Sequence, residues 1–357
     1  MPEGHQRTRK KSPRRGTARR SRARNWWELT DEELLDWRVK DLGLSLEGTA
    51  IESRVARLHD ELEEKGVRLK PYVWLSSDWF TPDSATGFAV PFFLAHPRLV
   101  RLERHQMLEA EGATHGWCMK LLRHEAAHAL DNAYNLRLRR VWRETFGRAS
   151  TPYLQSYTPD PTSRDHVLNL DYWYSQSHPL EDWAETFAVW LDPRSRWRRR
   201  YEGWPALRKL EAVDTLMADI ARTPPRRRTR AREEPVSGMG ETLGEIYERK
   251  RSQFDGEHLP ELDQRLEGIF ARSTSGRTAG EFLRKNRKLL VERIARTTGQ
   301  HRYLVDHALR EIILRARQRK LRLRDGSSAR ETLLDVTVLI TSHTLQFIYG
   351  GHPRYHR

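Results

Sequence analysis

The chain has 357 residues, 37% of them hydrophobic, which is enough to bury a core and to form more than one folded unit. Its single cysteine, Cys118, excludes an internal disulfide framework and favours a reducing compartment. The net charge is +15, no stretch approaches the roughly 20 apolar residues that span a bilayer, and no apolar run follows the basic N-terminus as in a secretory signal. These features predict a cytoplasmic protein with no membrane partner.

Residues 1–24 carry much of the positive charge. They contain ten Lys or Arg and one acidic residue, so nine of the fifteen net charges lie in this segment. Because the segment has almost nothing to bury, we predict a disordered basic tail. Its charge suits nucleic acid or another polyanion, but a tail that only aids solubility would have the same composition.

Residues 67–102 predict a small sheet. Short apolar runs at 71–76 and 87–94 have the length and composition of strands, and residues 81–84 form the turn between them. Residues 100–102 are a candidate third strand. In a protein with a catalytic helix, the edge of such a sheet could pair with an extended peptide.

The following helix carries a His-Glu-x-x-His motif, formed by His124, Glu125 and His128. The four-residue spacing directs both imidazoles from one helix face, where they can hold one metal ion. Glu125 lies beside the first histidine, where a carboxylate can accept a proton from metal-bound water. Asp131, three residues beyond His128, is interpreted as a carboxylate that orients a ligand, with a fourth metal ligand as the alternative. A surface helix with two solvated histidines would show the same motif, so a second segment has to support it.

That second segment is a helix predicted to begin near Pro179. Its aromatic stripe predicts burial, and Glu181 and Glu185 share a neighbouring face. Buried carboxylates are costly unless a positive charge compensates them, and a zinc ion would do so. The proline- and tyrosine-rich residues 149–173 precede this helix and are interpreted as the wall or lid of a cleft, with Tyr153 as a candidate substrate contact.

The two segments together resemble a known group of enzymes. A His-Glu-x-x-His motif followed by a glutamate on a later helix is similar to the gluzincin metallopeptidases. Residues 174–188, Tyr-x-x-x-His-Pro-x-Glu-Asp-Trp-Ala-Glu-Thr-Phe-Ala, resemble a bacterial family of zinc-binding metallopeptidases, and Glu-x-x-Ala-Glu-x-Phe resembles the third-ligand helix of the anthrax lethal factor group. The resemblance covers about residues 70–215 and neither end of the chain.

The resemblance implies a role for each motif residue. It makes His124, His128 and Glu181 the zinc ligands and Glu125 the general base. Tyr174, seven residues before Glu181, would then stabilise the oxyanion. Related proteases read Glu-x-Phe-Ala-Val, which also matches the residues that follow Glu185, so Glu185 is the competing third ligand. Otherwise Glu185 would be the carboxylate that orients a ligand histidine.

The remaining chain predicts a linker and a second domain. Residues 222–240 are rich in Arg and Pro and are typical of a linker. Residues 241–357 have helical periodicity and predict an all-α bundle, in which His343, His352 and His356 are interpreted as incidental rather than as a metal site. The predicted fold is therefore α+β, with a zincin-like domain over residues 25–221, a small sheet over its active helix, and a helical accessory domain after the linker.

The function predicted from these features is that of a zinc metallopeptidase. It would hydrolyse a peptide or other amide bond in a peptide or protein substrate, through a zinc-bound water activated by Glu125. The alternative is a polyanion- or nucleic-acid-binding protein with a structural or vestigial zinc site. The basic tail and the basic linker favour that alternative, whereas the complete set of ligands, base and tyrosine favours the enzyme.

Overall fold

The computed structural model describes most of the chain and leaves the predicted basic tail outside the described residues. The described ranges are residues 25–107, 110–154, 157, 159–221, 223–252, 260–273, 275–298 and 302–349. The structure is 61% helical, and its described residues form thirteen α-helices and a two-stranded sheet. This content is compatible with the predicted α+β class. None of the helices described is both long and apolar enough to cross a membrane.

The helices fall into two groups along the chain. The first group is α1 (Asp31–Leu35), α2 (Ala50–Glu64), α3 (Pro97–Met107), α4 (His115–Tyr134), α5 (Arg140–Phe146), α6 (Pro179–Leu191), α7 (Trp197–Arg200), α8 (Ala206–Ile220) and α9 (Leu243–Ser252). The second group is α10 (Pro260–Ile269), α11 (Ala279–Thr298), α12 (Arg302–Gln318) and α13 (Ala329–Tyr349). A 3₁₀ helix, Asp171–Gln176, precedes α6.

The sheet consists of β1 (Tyr72–Ser76) and β2 (Gly87–Pro91), which run parallel with Tyr72 opposite Gly87. Between them the chain turns back, so that Phe80 forms an antiparallel bridge with Ala89 on the other edge of β2. The predicted turn is present, since Ala85 N donates to Pro82 O at 2.9 Å. The sheet is therefore short, and β2 has a parallel neighbour on one edge and an antiparallel bridge on the other.

The prediction of a third strand at residues 100–102 is wrong, because these residues lie inside α3. Pro97 occupies the first helical position, which suits proline. Leu99 and Leu102 are both buried, and their spacing of three is the spacing of one helix face. The second predicted strand, residues 87–94, is shorter than predicted. It ends at Pro91, and Phe92–Ala95 is a 3₁₀ helix.

The main core joins the sheet to α4 and α6. Leu75, Phe88 and Val90 point into it from the sheet and are almost fully buried. Helices α4 and α6 pack directly on each other, and Trp183 Nε1 donates to Ala127 O at 3.1 Å across their interface. This packing fixes the relative position of the His-Glu-x-x-His helix and the helix that carries Glu181 and Glu185.

A second core lies among α10, α11, α12 and α13. Helix α9 belongs to the main core instead, where Leu243, Ile246 and Tyr247 are buried. It packs against α1 and α3, and Leu243 N donates to Trp37 O at 2.8 Å. The sequence assigns this helix to the accessory domain, and the structure places its apolar face against the first helices of the chain.

Candidate metal centre

Two helix starts position the candidate ligands. Thr114 caps α4 by accepting from Trp117 N, and the helix then runs through the core for 20 residues, which buries His124. His178 caps α6 through Nδ1, which accepts from Leu180 N at 3.1 Å, and Pro179 is the first helical residue. Glu181 therefore lies in the first turn of α6, at its positive end, where a carboxylate is stabilised.

The three ligand atoms of His124, His128 and Glu181 all lie within 4.8 Å of one another. Glu181 Oε2 is 3.1 Å from His124 Nε2 and 3.5 Å from His128 Nε2. The two Nε2 atoms are 3.2 Å apart. These short distances mean that three side chains present one donor atom each to a common point, and the group can hold a metal ion.

Glu185 lies on the far side of His124. Its Oε1 is 2.9 Å from His124 Nδ1 and 2.8 Å from Asn169 Nδ2, and its Oε2 accepts from Leu170 N at 2.8 Å. With these partners the carboxylate holds Nδ1 in its protonated form, and this leaves Nε2 directed at the ligand point. In the structure Glu181 faces both histidines, whereas Glu185 contacts the outer nitrogen of one.

The site concentrates negative charge in a buried place. Burial lowers the pKa of His124, but its hydrogen bonds with Glu181 and Glu185 and their charges outweigh burial and raise that pKa to about 10. Burial raises the pKa of Glu181, but the charge of His128 and the hydrogen bonds with both imidazoles bring it well below its ordinary value. A proton on His124 thus compensates the carboxylates, and a bound cation would supply the same compensation.

Glu125 is held by a residue from the sheet connection. Thr81 Oγ1 donates to Glu125 Oε2 at 2.9 Å and also lies 3.3 Å from the Glu125 carbonyl oxygen. Glu125 is buried, and Thr81 lies between β1 and β2. The small sheet therefore contributes a contact to the motif helix. Sequence reasoning treated this turn only as a connection, and nothing in its composition indicates a contact with Glu125.

Two tyrosines lie at the site. The ring of Tyr174 is 5.7 Å from the ring of His124, so the sequence-predicted residue is close to the candidate ligands. Tyr153 donates from its hydroxyl to Glu181 Oε1 at 2.6 Å, and its ring stacks on His178 at 3.7 Å. The sequence suggested only substrate contact for Tyr153. Tyr153 and Glu181 are 28 positions apart in the chain, so no local sequence pattern predicts their contact.

Asp131 was predicted to orient a ligand histidine, but in the structure its carboxylate contacts Arg137 instead. Its carboxylate accepts from Arg137 N at 2.7 Å and from Arg137 Nε at 2.5 Å. Burial raises the pKa of Asp131 and Arg137 opposes this rise. Asp131 thus ties the end of α4 to the following turn, and Glu185 is the carboxylate that contacts a ligand histidine.

The donor set suits a divalent transition metal. Two imidazole nitrogens and one carboxylate oxygen are the donor set of catalytic zinc sites with three protein ligands, in which a coordination position remains for water or substrate. The carboxylate on the outer nitrogen of His124 is a common accompaniment of such sites. No protein-family model, curated protein or solved structure matched the chain.

Proposed function

We propose that this protein is a zinc-dependent metallopeptidase of gluzincin type that hydrolyses a peptide or other amide bond. The observation that supports it most is the convergence of His124, His128 and Glu181 on one point, with Glu125 next to the first ligand on the same helix. A structural zinc site is usually closed by four protein ligands, whereas three ligands leave room for a reaction. Glu125, next to the first ligand in the helix, supplies a carboxylate that could accept a proton from water at the metal.

Zinc held by these three residues would polarise the scissile carbonyl group and lower the pKa of water at the site to about 7. Glu125 then accepts the proton of the attacking water and passes it to the leaving amine, so the carboxylate ends in its starting form. Because Oε2 of Glu125 accepts a hydrogen bond from Thr81, Oε1 is the oxygen that would take the proton. The sheet connection thereby orients the base.

Tyr174 and Glu185 have supporting roles in this proposal. The Tyr174 hydroxyl would donate to the oxyanion that forms on the scissile carbonyl, and loss of one such donor typically raises the barrier by about 2.7–4 kcal/mol. Glu185 keeps the proton of His124 on Nδ1 and holds the orientation of its ring. Tyr174 would thus stabilise the developing negative charge, and Glu185 would act only through His124.

The proposal is tested by cleavage of a mixed peptide library, with new chain ends identified by mass spectrometry. Zinc-loaded wild type should cleave, and Glu125→Gln should bind zinc equally well but lose activity by about a hundredfold or more. Glu144→Gln, an exposed acidic residue on α5, is the matched control and should keep full activity. Equal cleavage by wild type and Glu125→Gln would reject the mechanism. Zinc binding with no cleavage by wild type would reject the enzyme.

A further inference from the structure

Residues 226–234, here called the strap, cross the outer face of the sheet. This stretch lies within the segment that the sequence predicts to be a linker. Tyr72 OH donates to Ala231 O, Trp74 Nε1 donates to Glu233 O at 2.8 Å, and Ser76 Oγ donates to Glu234 O at 2.7 Å. Alternate residues of a strand point to the same face, so β1 presents all three donors to the strap.

The other half of the strap is fixed in the same way. Thr86 Oγ1 donates to Thr229 O at 2.9 Å and accepts from Thr229 N at 3.2 Å. Thr229 Oγ1 donates to Ser84 O at 3.0 Å, and the main-chain amides of Arg226 and Arg227 both donate to Ala133 O. Apart from the Thr229 hydroxyl, every one of these contacts uses the strap's main chain. Among the described residues, no arginine side chain of the strap forms a hydrogen bond that docks it.

Five arginines therefore stand exposed on a fixed backbone. They are Arg226, Arg227, Arg228, Arg230 and Arg232. Within the described ranges, none of the five guanidinium groups has a hydrogen bond or an ion pair. Elsewhere in the described chain many arginines are paired with carboxylates, as Arg123 is with Glu61. The strap thus holds five arginines within nine residues, and none of them has a carboxylate partner among the described residues.

The strap creates a local excess of positive charge. Consecutive Cα atoms are about 3.8 Å apart, so the backbone positions of neighbouring strap arginines lie within a Debye length of one another and these cations repel. Arg68 adds to the group, because its charge and that of Arg228 both oppose the rise that burial causes in the pKa of Tyr134. Glu233 and Glu234 end the strap and are exposed, but two acids do not balance five arginines.

We propose that the strap binds the phosphate backbone of nucleic acid without sequence preference. Arginine forms paired hydrogen bonds with phosphate, and arginines at five positions along the docked main chain let separate side chains reach separate phosphates. A membrane surface is a weaker match, because the strap contains no large apolar side chain to insert beside its charges. This inference does not depend on the metal centre, and it would bring a nucleic-acid-bound substrate to the same molecule.

The test measures binding of the full chain to a short fluorescent DNA duplex of arbitrary sequence over a range of salt concentrations. The variant is Arg228→Gln with Arg230→Gln and Arg232→Gln, which keeps the docked main chain. The slope of log affinity against log salt is negative, and each lost phosphate contact should make it less steep by about 0.9. The slope of the triple variant should therefore be about 2.7 less steep than that of wild type. Because the tail of residues 1–24 remains in every variant, the change in slope reports the strap alone.

The control triple is Arg140→Gln, Arg265→Gln and Arg302→Gln, which removes the same charge from exposed arginines that already have carboxylate partners. It should keep the wild-type slope. An unchanged slope in the strap variant, or the same decrease in both triples, would overturn the proposal. Failure of wild type to bind the duplex would overturn it too, and binding to phosphatidylserine vesicles instead would assign the strap to a membrane surface.

Discussion

Glu185 and Glu181 contact opposite nitrogens of one imidazole. Glu185 Oε1 lies 2.9 Å from Nδ1 of His124, and Glu181 Oε2 lies 3.1 Å from Nε2 of the same ring. The two carboxylates are four residues apart on α6, so they share one helix face and reach both sides of His124. In the proposed zinc site, this relationship gives one glutamate the role of ligand and the other the role of orienting the histidine.

Tyr153→Phe should weaken zinc binding without changing the fold. The hydroxyl of Tyr153 holds Oε1 of Glu181, and this directs Oε2 towards the histidines. Loss of such a contact with a ligand typically weakens metal affinity by about 10–100-fold. Competition with a chromophoric chelator measures the affinity. The matched control is Tyr174→Phe, which should keep the affinity and lower the cleavage rate; equal affinities in wild type and Tyr153→Phe would contradict the role of Tyr153.

Gly87→Ala should destabilise the sheet. A Cβ at this position would lie 2.2 Å from the carbonyl oxygen of Tyr72 and 2.6 Å from its ring, so backbone would have to move. Forced shifts of this kind cost about 1–3 kcal/mol. Gly116→Ala is the control, because nothing lies within 4 Å of its Cβ position and alanine suits a helix. Urea denaturation followed by tryptophan fluorescence should separate the two variants, and equal stabilities would show that the sheet tolerates the side chain.

Glu311→Gln should remove part of the acid sensitivity of the helical core. Burial raises the pKa of Glu311, but hydrogen bonds with His307 and His343 and their charges lower it from 4.5 to about 2. An acid whose pKa is lower in the folded state stabilises that state above its ordinary pKa, and the contribution disappears as pH falls through the folded value. Wild type should therefore be more stable than the variant at pH 6, and the difference should shrink between pH 4.5 and pH 2.

Urea denaturation followed by helical circular dichroism at a series of pH values measures this difference. Glu292→Gln, which removes an exposed carboxylate from α11, is the control and should keep the acid sensitivity of wild type. A difference between wild type and Glu311→Gln that stays constant across the range would show that the two histidines do not stabilise the ionised form.

Local patterns were sufficient to predict the two helices of the candidate site. The four-residue spacing of His124 and His128 defines a helix face, and Pro179 marks a helix start that the structure has at the same residue. The choice between Glu181 and Glu185 was open from sequence, because both lie on the face that points towards α4. Only the packing of α6 on α4 brings one of them to both histidines, and no local sequence pattern specifies how the two helices pack.

The features that the sequence missed come from contacts between distant segments. Thr81 and Tyr153 lie in irregular stretches, where spacing does not report what a side chain touches. The strap has the composition of a linker, and the donors that fix it come from β1, about 160 positions away. Residues 100–102, Val-Arg-Leu, form too short a pattern for periodicity to distinguish a strand from a helix.

The most direct test of the account is zinc content and zinc affinity, measured on wild type, Glu181→Gln and Glu185→Gln by elemental analysis and chelator competition. The account predicts about one zinc per wild-type chain, loss of zinc in Glu181→Gln, and retained zinc with about 10–100-fold weaker affinity in Glu185→Gln. Full zinc affinity in Glu181→Gln together with loss in Glu185→Gln would contradict the ligand assignment. A wild-type protein that binds no zinc after reconstitution would contradict the metal centre itself.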